Sequence, residues 1–153
     1  MTVALQDLGQ AVKQLQYRHH RALDNHLRQI GTTLAQWDAL RAIARRPDSS
    51  GHALAEMTFQ TDQSFGALAS RLVQRGMIER VAGPGRAIRH RLTPAGEATL
   101  QKGHGIADEV LADSFSTLTD SQRDQLYRLL TRSLAAPPAG DRHARTGAAT
   151  QAG

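Results

Sequence analysis

Apolar residues recur at steps of three and four along the first thirty positions. Leu5, Leu8, Val12 and Leu15 lead a seam that runs on through His19, Ala22 and His26. This spacing sets one side of a helix against a partner, and it predicts a long helix from about Leu5 to Ile30. Two histidines hold seam positions where aliphatic residues are expected. A second stripe, Leu23, Leu27 and Ile30, takes over towards the end, and Gly31 stops the helix. Thr33-Leu-Ala-Gln36 has the form of a capping box, with the Gln36 side chain reaching back to the cap. It opens a helix to about Arg46 with Leu34, Trp37, Leu40, Ile43 and Ala44 inward. Pro47 closes that helix, because the residue before a proline is pushed out of the helical region.

The pattern then shortens. A helix from about Gly51 to Met57 has Ser50 as its cap and Leu54 and Ala55 inward. After the turn Thr58-Phe-Gln60, Thr61 caps a helix from Asp62 to Arg75 with Phe65, Leu68, Ala69 and Leu72 inward. Gly76 ends it. Met77 to Ala82 reads as a strand, Gly83-Pro-Gly85 as a turn, and Arg86 to Leu92 as the returning strand. Thr93-Pro94 opens a further helix to about Phe115, softened by Gly103 and Gly105. A second capping box, Thr119-Asp-Ser-Gln122, starts the last helix, which carries Leu126, Leu129, Leu130 and Leu134. The expected fold is mainly α with a small β-hairpin wing, in the order α-α-α-α-β-β-α-α. Residues 33–93 form a winged helix-turn-helix, 5–32 and 94–136 a helical dimerisation region, and 137–153, small and polar with Gly and Pro, are expected to be disordered.

Charge changes the picture. Between Arg71 and Arg91 stand six arginines (Arg71, Arg75, Arg80, Arg86, Arg89, Arg91) against one acid, Glu79, so this stretch carries the whole net charge of +5. A helix-turn-helix followed by an arginine-rich hairpin fits a polyanion, and the polyanion it fits best is duplex DNA. The absence of cysteine excludes disulfides, thiolate zinc sites and thiol redox sensing. No apolar run approaches the ~20 residues of a membrane span. The N-terminus lacks the build of a signal peptide, so a cytoplasmic protein without a membrane partner is expected. No nucleophile elbow, phosphate loop or carboxylate pair is present, which argues against an enzyme and against a cofactor.

With these pieces in order, the chain resembles the multiple-antibiotic-resistance regulator (MarR) family of winged-helix repressors over about residues 5–135. The segments that carry the resemblance are Leu34-Ala-Gln-Trp-Asp-Ala-Leu40, His52-Ala-Leu-Ala-Glu56, Leu72-Val-Gln-Arg-Gly-Met-Ile-Glu-Arg80 and Leu92-Thr-Pro-Ala-Gly96. The resemblance implies a homodimer built from the first and last helices, palindromic operators as its DNA, and a ligand cleft between dimer and DNA-binding parts. One departure stands out. The family's Asp-x-Arg pattern at the wing tip reads Pro84-Gly85-Arg86 here, so the arginine is kept without its aspartate partner.

The candidate DNA contacts lie on the outer face of the fourth helix and on the wing. Gln63 suits a bidentate contact to adenine, Ser64 a base or a phosphate, and Ala67 a thymine methyl. Ser50, Thr61 and Arg71 join this set, against the alternative of an ordinary polar surface. Thr61 and Asp62 equally suit the first turn of a helix, and Asp62, which repels phosphates, is expected to be structural or a base reader. Gly66 costs about 1 kcal/mol relative to Ala, which close packing or close approach to DNA would explain. Arg86 at the tip fits the minor groove. Arg89, on one strand face with Ala87 and Arg91 while Ile88, His90 and Leu92 take the other, reads as a phosphate or groove contact rather than a buried ion-pair partner.

The first helix offers a second site. Tyr17, His19 and His20, with Trp37 as an aromatic wall and Arg41 as counter-charge, are candidates for binding a small aromatic, anionic effector. The competing reading makes the histidines hydrogen-bonded interface residues. His104 and Asp108, spaced i, i+4, can ligate zinc, but without cysteines and with the other histidines on a different helix no metal set is assigned. The expected function is therefore a homodimeric, sequence-specific DNA-binding repressor released by a small ligand. The alternatives are a ligand-blind architectural or protein-interaction winged helix, and a histidine-based metal sensor.

Overall fold

The computed structural model describes residues 1–85 and 87–136. The expected element order holds throughout: α1 (Leu5–Arg28), α2 (Leu34–Arg45), α3 (Gly51–Met57), α4 (Asp62–Gln74), β1 (Ile78–Ala82), β2 (Ile88–Leu92), α5 (Pro94–Ser114) and α6 (Asp120–Leu134). The expectations for the tail, 137–153, and for Arg86 at the wing tip lie outside the described residues.

The described residues divide into two compact units, Met1–Ser114 and a second that begins at Phe115. In the first, α2 is the central element and packs against α1, α3, α4, α5 and β2. It therefore buries side chains most of the way round: Leu34, Trp37, Leu40 and Ile43 as expected, with Ala39 and Ala42 besides. Ala44, expected inward, is exposed in the last turn, where these neighbours end. Phe65, Leu68, Ala69 and Leu72 of α4, with Leu54 and Ala55 of α3, complete the core. The antiparallel hairpin pairs Ile78 with Leu92 through Ala82 with Ile88, and an isolated bridge between Ser50 and Arg89 ties it to the start of α3.

Caps behave as local chemistry dictates. Thr33, Ser50, Thr61 and Thr119 each accept a hydrogen bond from the backbone N–H three residues on, at Gln36, Ala53, Ser64 and Gln122. Thr119 and Gln122 complete the reciprocal box. The box expected at Thr33 is only half formed, because the Gln36 carbonyl oxygen is taken by the Thr32 hydroxyl and by Arg75. Tertiary partners there outcompete the local one. Asp24, held below the usual carboxylate range chiefly by the Leu34 backbone N–H, ties α1 to the start of α2.

The expected softening of α5 at Gly103 does not occur; the helix is continuous. A Cβ at Gly103 would lie 2.1 Å from the Trp37 indole nitrogen, so the glycine makes room for a packed ring. Gly96 plays the same part beneath the Met77 carbonyl, where a Cβ would lie 1.9 Å from the oxygen. In the second unit, α6 buries none of its residues: Tyr127, Leu129, Leu130 and Leu134 are exposed.

Candidate nucleic-acid interface

The outer face of α4 is built by exclusion. Its apolar stripe is pinned into the core, so Gln63, Ser64, Gly66, Ala67 and Arg71 are left exposed on the opposite side. A Cβ at Gly66 would meet nothing within 4 Å, which removes close packing within the chain as the reason for this glycine. Thr61 spends its hydroxyl on the Ser64 backbone N–H and on the Ser64 side chain. Ser50 likewise caps α3, and its backbone bridges to the wing. Both are therefore structural at the helix starts, whatever else they touch.

The arginine cluster is less free than its charge suggests. Arg75 donates to the Gly31 carbonyl at 2.6 Å and to Gln36 at 2.7 Å. Arg80 donates to the Ser70 hydroxyl. Arg91 pairs with the Asp48 carboxylate, which it holds below its ordinary range. Arg89, expected to face outward, is drawn half inside: one guanidinium nitrogen donates to the Asp48 carbonyl at 2.7 Å, and its Nε is buried without a partner. Ile88 is exposed instead, and His90 is buried beside the Phe65 ring. Burial holds the His90 imidazole below its usual value. Arg71 on α4 is exposed and enters none of these bonds. A guanidinium bonded to a carbonyl keeps its full charge, so the positive field of this face persists even where the side chains are fixed.

Asp48, which no local sequence pattern ties to the hairpin, organises the wing. It sits in the left-handed region (φ +61°) between α2 and α3, its carboxylate on Arg91 and its carbonyl on Arg89. It thus holds the returning strand from below, in a chain whose wing tip lacks an aspartate. His52 and Asp62 meet across the helix-turn-helix. The imidazole Nδ1 lies 2.9 Å from one Asp62 oxygen, and Nε2 lies 3.3 Å from Glu56. Asp62 raises the His52 pKa, with help from Glu56.

The first-helix candidates do not converge. Residues 17 and 19 leave a helix about 160° apart, since each step turns 100°, while 17 and 20 lie about 60° apart on one side. Tyr17 is exposed with Arg21 over its ring. His19 meets the Ser114 hydroxyl at 2.6 Å in a pocket with Arg18, Ala22, His26, Val110 and Asp113, and burial lowers its pKa. His20 acts electrostatically on Asp38, near Arg41. Trp37 is buried, donates to the Leu100 carbonyl, and has Arg41 over its face at 4.6 Å and His104 at its edge. Trp37 and Arg41 are thus brought together, while His19 lies in a pocket of its own. His26 is exposed and bonds to the carbonyl of Ala22 on its own helix. Among the described residues no three histidine, aspartate or glutamate side chains are grouped to hold a metal.

The MarR family sequence model matches residues 30–87. No curated protein matches the chain as a relative. Among solved structures, a mutant of MarR from E. coli complexed with operator DNA is similar at a TM-score of 0.77 and 22% identity, covering 84% of this chain and 94% of that one. A probable transcriptional regulator from Pseudomonas aeruginosa is 28% identical at a TM-score of 0.72, over 82% and 95% of the two chains. A MarR family protein of Mycobacterium tuberculosis in complex with salicylic acid is 22% identical at a TM-score of 0.70, over 86% and 96%. The matched segment, from α2 to the turn of the hairpin, is thus similar to the MarR family, and the fold of the chain is the winged-helix fold of these solved structures.

Proposed function

We propose that this chain is a homodimeric, sequence-specific DNA-binding transcriptional regulator, a repressor whose hold on its operator is released by a small anionic aromatic ligand. The observation that carries the reading is the exposed face of α4, where Gln63, Ser64, Gly66, Ala67 and Arg71 stand clear of the core beside an arginine-rich hairpin. Gly66 has open space around it, as a close approach of DNA requires. The likeness to an operator-bound MarR supports the same use of the fold.

Dimerisation is supported by apolar surface that a monomer leaves in water: Leu5, Leu8 and Val12 on α1, and Tyr127, Leu129, Leu130 and Leu134 on α6. In a dimer, two recognition helices enter successive major grooves only when spaced about one turn of DNA, ~34 Å. A ligand that prefers another spacing lowers operator affinity by its differential binding to the two states. Arg41, half-buried over Trp37 and paired with Asp38, is the counter-charge for that ligand. Selection of duplexes from a random pool tests the reading: a palindrome with half-sites one turn apart is expected, and enrichment of no sequence would refute it.

One observation favours a second reading. Trp37 already has its ring covered by Arg41, its edge met by His104 and its N–H donated to Leu100, as in a ligand-blind winged helix. Salicylic acid raising the melting temperature of the wild type but not of Arg41→Ala would decide for the effector; no shift in either would decide for the ligand-blind protein.

A further inference from the structure

We propose that His52 is the positioning residue for the DNA-entering end of α4: by pairing with Asp62 it offsets the acid that stands there, so that DNA binding takes up a proton and weakens as pH rises. This rests on the DNA-binding reading above.

The geometry sets the argument. Nδ1 of His52 lies 2.9 and 3.1 Å from the two Asp62 carboxylate oxygens, and Nε2 lies 3.3 Å from a Glu56 oxygen. Both ring nitrogens therefore face acceptors. A neutral imidazole has one N–H and satisfies one of them; only the imidazolium donates to both. With the ring neutral the trio carries a charge of −2, and with it protonated −1. Phosphates brought up to this surface add negative potential, which favours the imidazolium further.

The other groups near Asp62 leave this task to His52. Ser50, Arg80 of β1 and His90 of β2 line one groove with Asp62. Arg80 is engaged with Ser70, and His90 is buried and held towards its neutral form. Glu56, on the helix of His52 itself, only adds to the negative charge. Asp62, with Glu56, already holds the His52 imidazole above its ordinary value. Each unit by which bound DNA raises that value further is about tenfold in affinity per protomer.

The test is a direct titration of the full chain with a random-sequence DNA duplex at fixed salt, from pH 6 to pH 8.5, beside NMR titration of the histidine ring protons. The wild type is expected to bind on the order of tenfold more weakly at the top of this range. His52→Gln should bind weakly with little slope, His52→Arg tightly with little slope, and Asp62→Asn tightly with little slope. All the altered side chains are exposed, so the fold should be kept. In the free protein the His52 resonance should titrate above about 6.5 and move down in Asp62→Asn. A wild-type slope retained in His52→Gln, or a His52 ring titrating below that value, overturns the inference while leaving the regulator reading in place. No DNA binding by the wild type at any pH would sink both.

Discussion

Replacing Gly103 with alanine should destabilise the protein, and the same change at Gly105, two residues on, should stabilise it. A methyl group at 103 would lie 2.1 Å from Nε1 and 2.3 Å from Cδ1 of Trp37, far inside contact distance. The ring has little freedom to retreat, because its N–H is bonded to the Leu100 carbonyl and Arg41 lies over its face. Overpacking a tight core costs about 1–3 kcal/mol. Turning the buried indole N–H from its acceptor costs about another 1–3 kcal/mol. Against these stands a gain of ~1 kcal/mol for alanine over glycine in a helix. The balance is a loss of about 1–5 kcal/mol. At Gly105 nothing lies within 4 Å, so only the helix gain of ~1 kcal/mol remains. Urea denaturation at one protein concentration, followed by circular dichroism and by the emission of the one tryptophan, measures both. A Gly103→Ala midpoint at or above the wild type, or both alanines moving the midpoint the same way, would refute the packing argument.

Arg86→Ala should weaken operator binding by about 1–3 kcal/mol with fold and dimer unchanged, measured by titration at fixed salt; unaltered affinity would remove the wing tip from the contact set. The protein should sediment as a dimer at micromolar concentration, and a folded monomer there would contradict the use made of the exposed leucines of α1 and α6. His19→Leu separates packing from effector binding: a variant that binds operator but is not released by ligand puts His19 in the cleft, and normal release leaves it as packing. Acid should destabilise the fold, because burial holds His19 and His90 below the ordinary imidazole value. Their contribution is full above the unfolded value of about 6.5 and is lost as the pH falls below it. The urea midpoint should therefore drop from pH 7.5 to pH 5.5, by less in His90→Gln, and a midpoint rising on acidification would count against this. His52, with its value raised, works in the opposite sense: its contribution is present below about 6.5 and is lost as the pH rises through the folded value.

The elements were legible because their signals are local. A threonine or serine three residues before a backbone N–H announces a helix start at 33, 50, 61 and 119, and the i, i+3, i+4 stripe of α4 announces which side enters the core. What was not legible depended on distant partners. Nothing near Asp48 says that it will hold two arginines of a strand some forty positions on. Gln36 was taken from its cap by Arg75, and Gly103 reads as a weak point until the ring of Trp37 is placed beneath it. The scattering of Tyr17, His19 and His20 is a different failure, since the 100° step of a helix already forbids the three from facing one cleft. His52 and Asp62, ten residues apart across a helix-turn-helix, were also within reach of the sequence.

The bonds of Arg75 give α4 the mechanics of a cantilever. Its last turn is clamped to the junction of α1 and α2, through the Gly31 carbonyl and Gln36, while its first turn is tied at the surface by its own cap and by the exposed His52–Asp62 pair. Thirteen residues make a beam of about 20 Å. A tilt of only ~5° at the clamp moves the far end by about 2 Å over that length. The end of α1 is therefore a place where a small push, far from any base pair, becomes a displacement large enough to misplace a side chain at the edge of one.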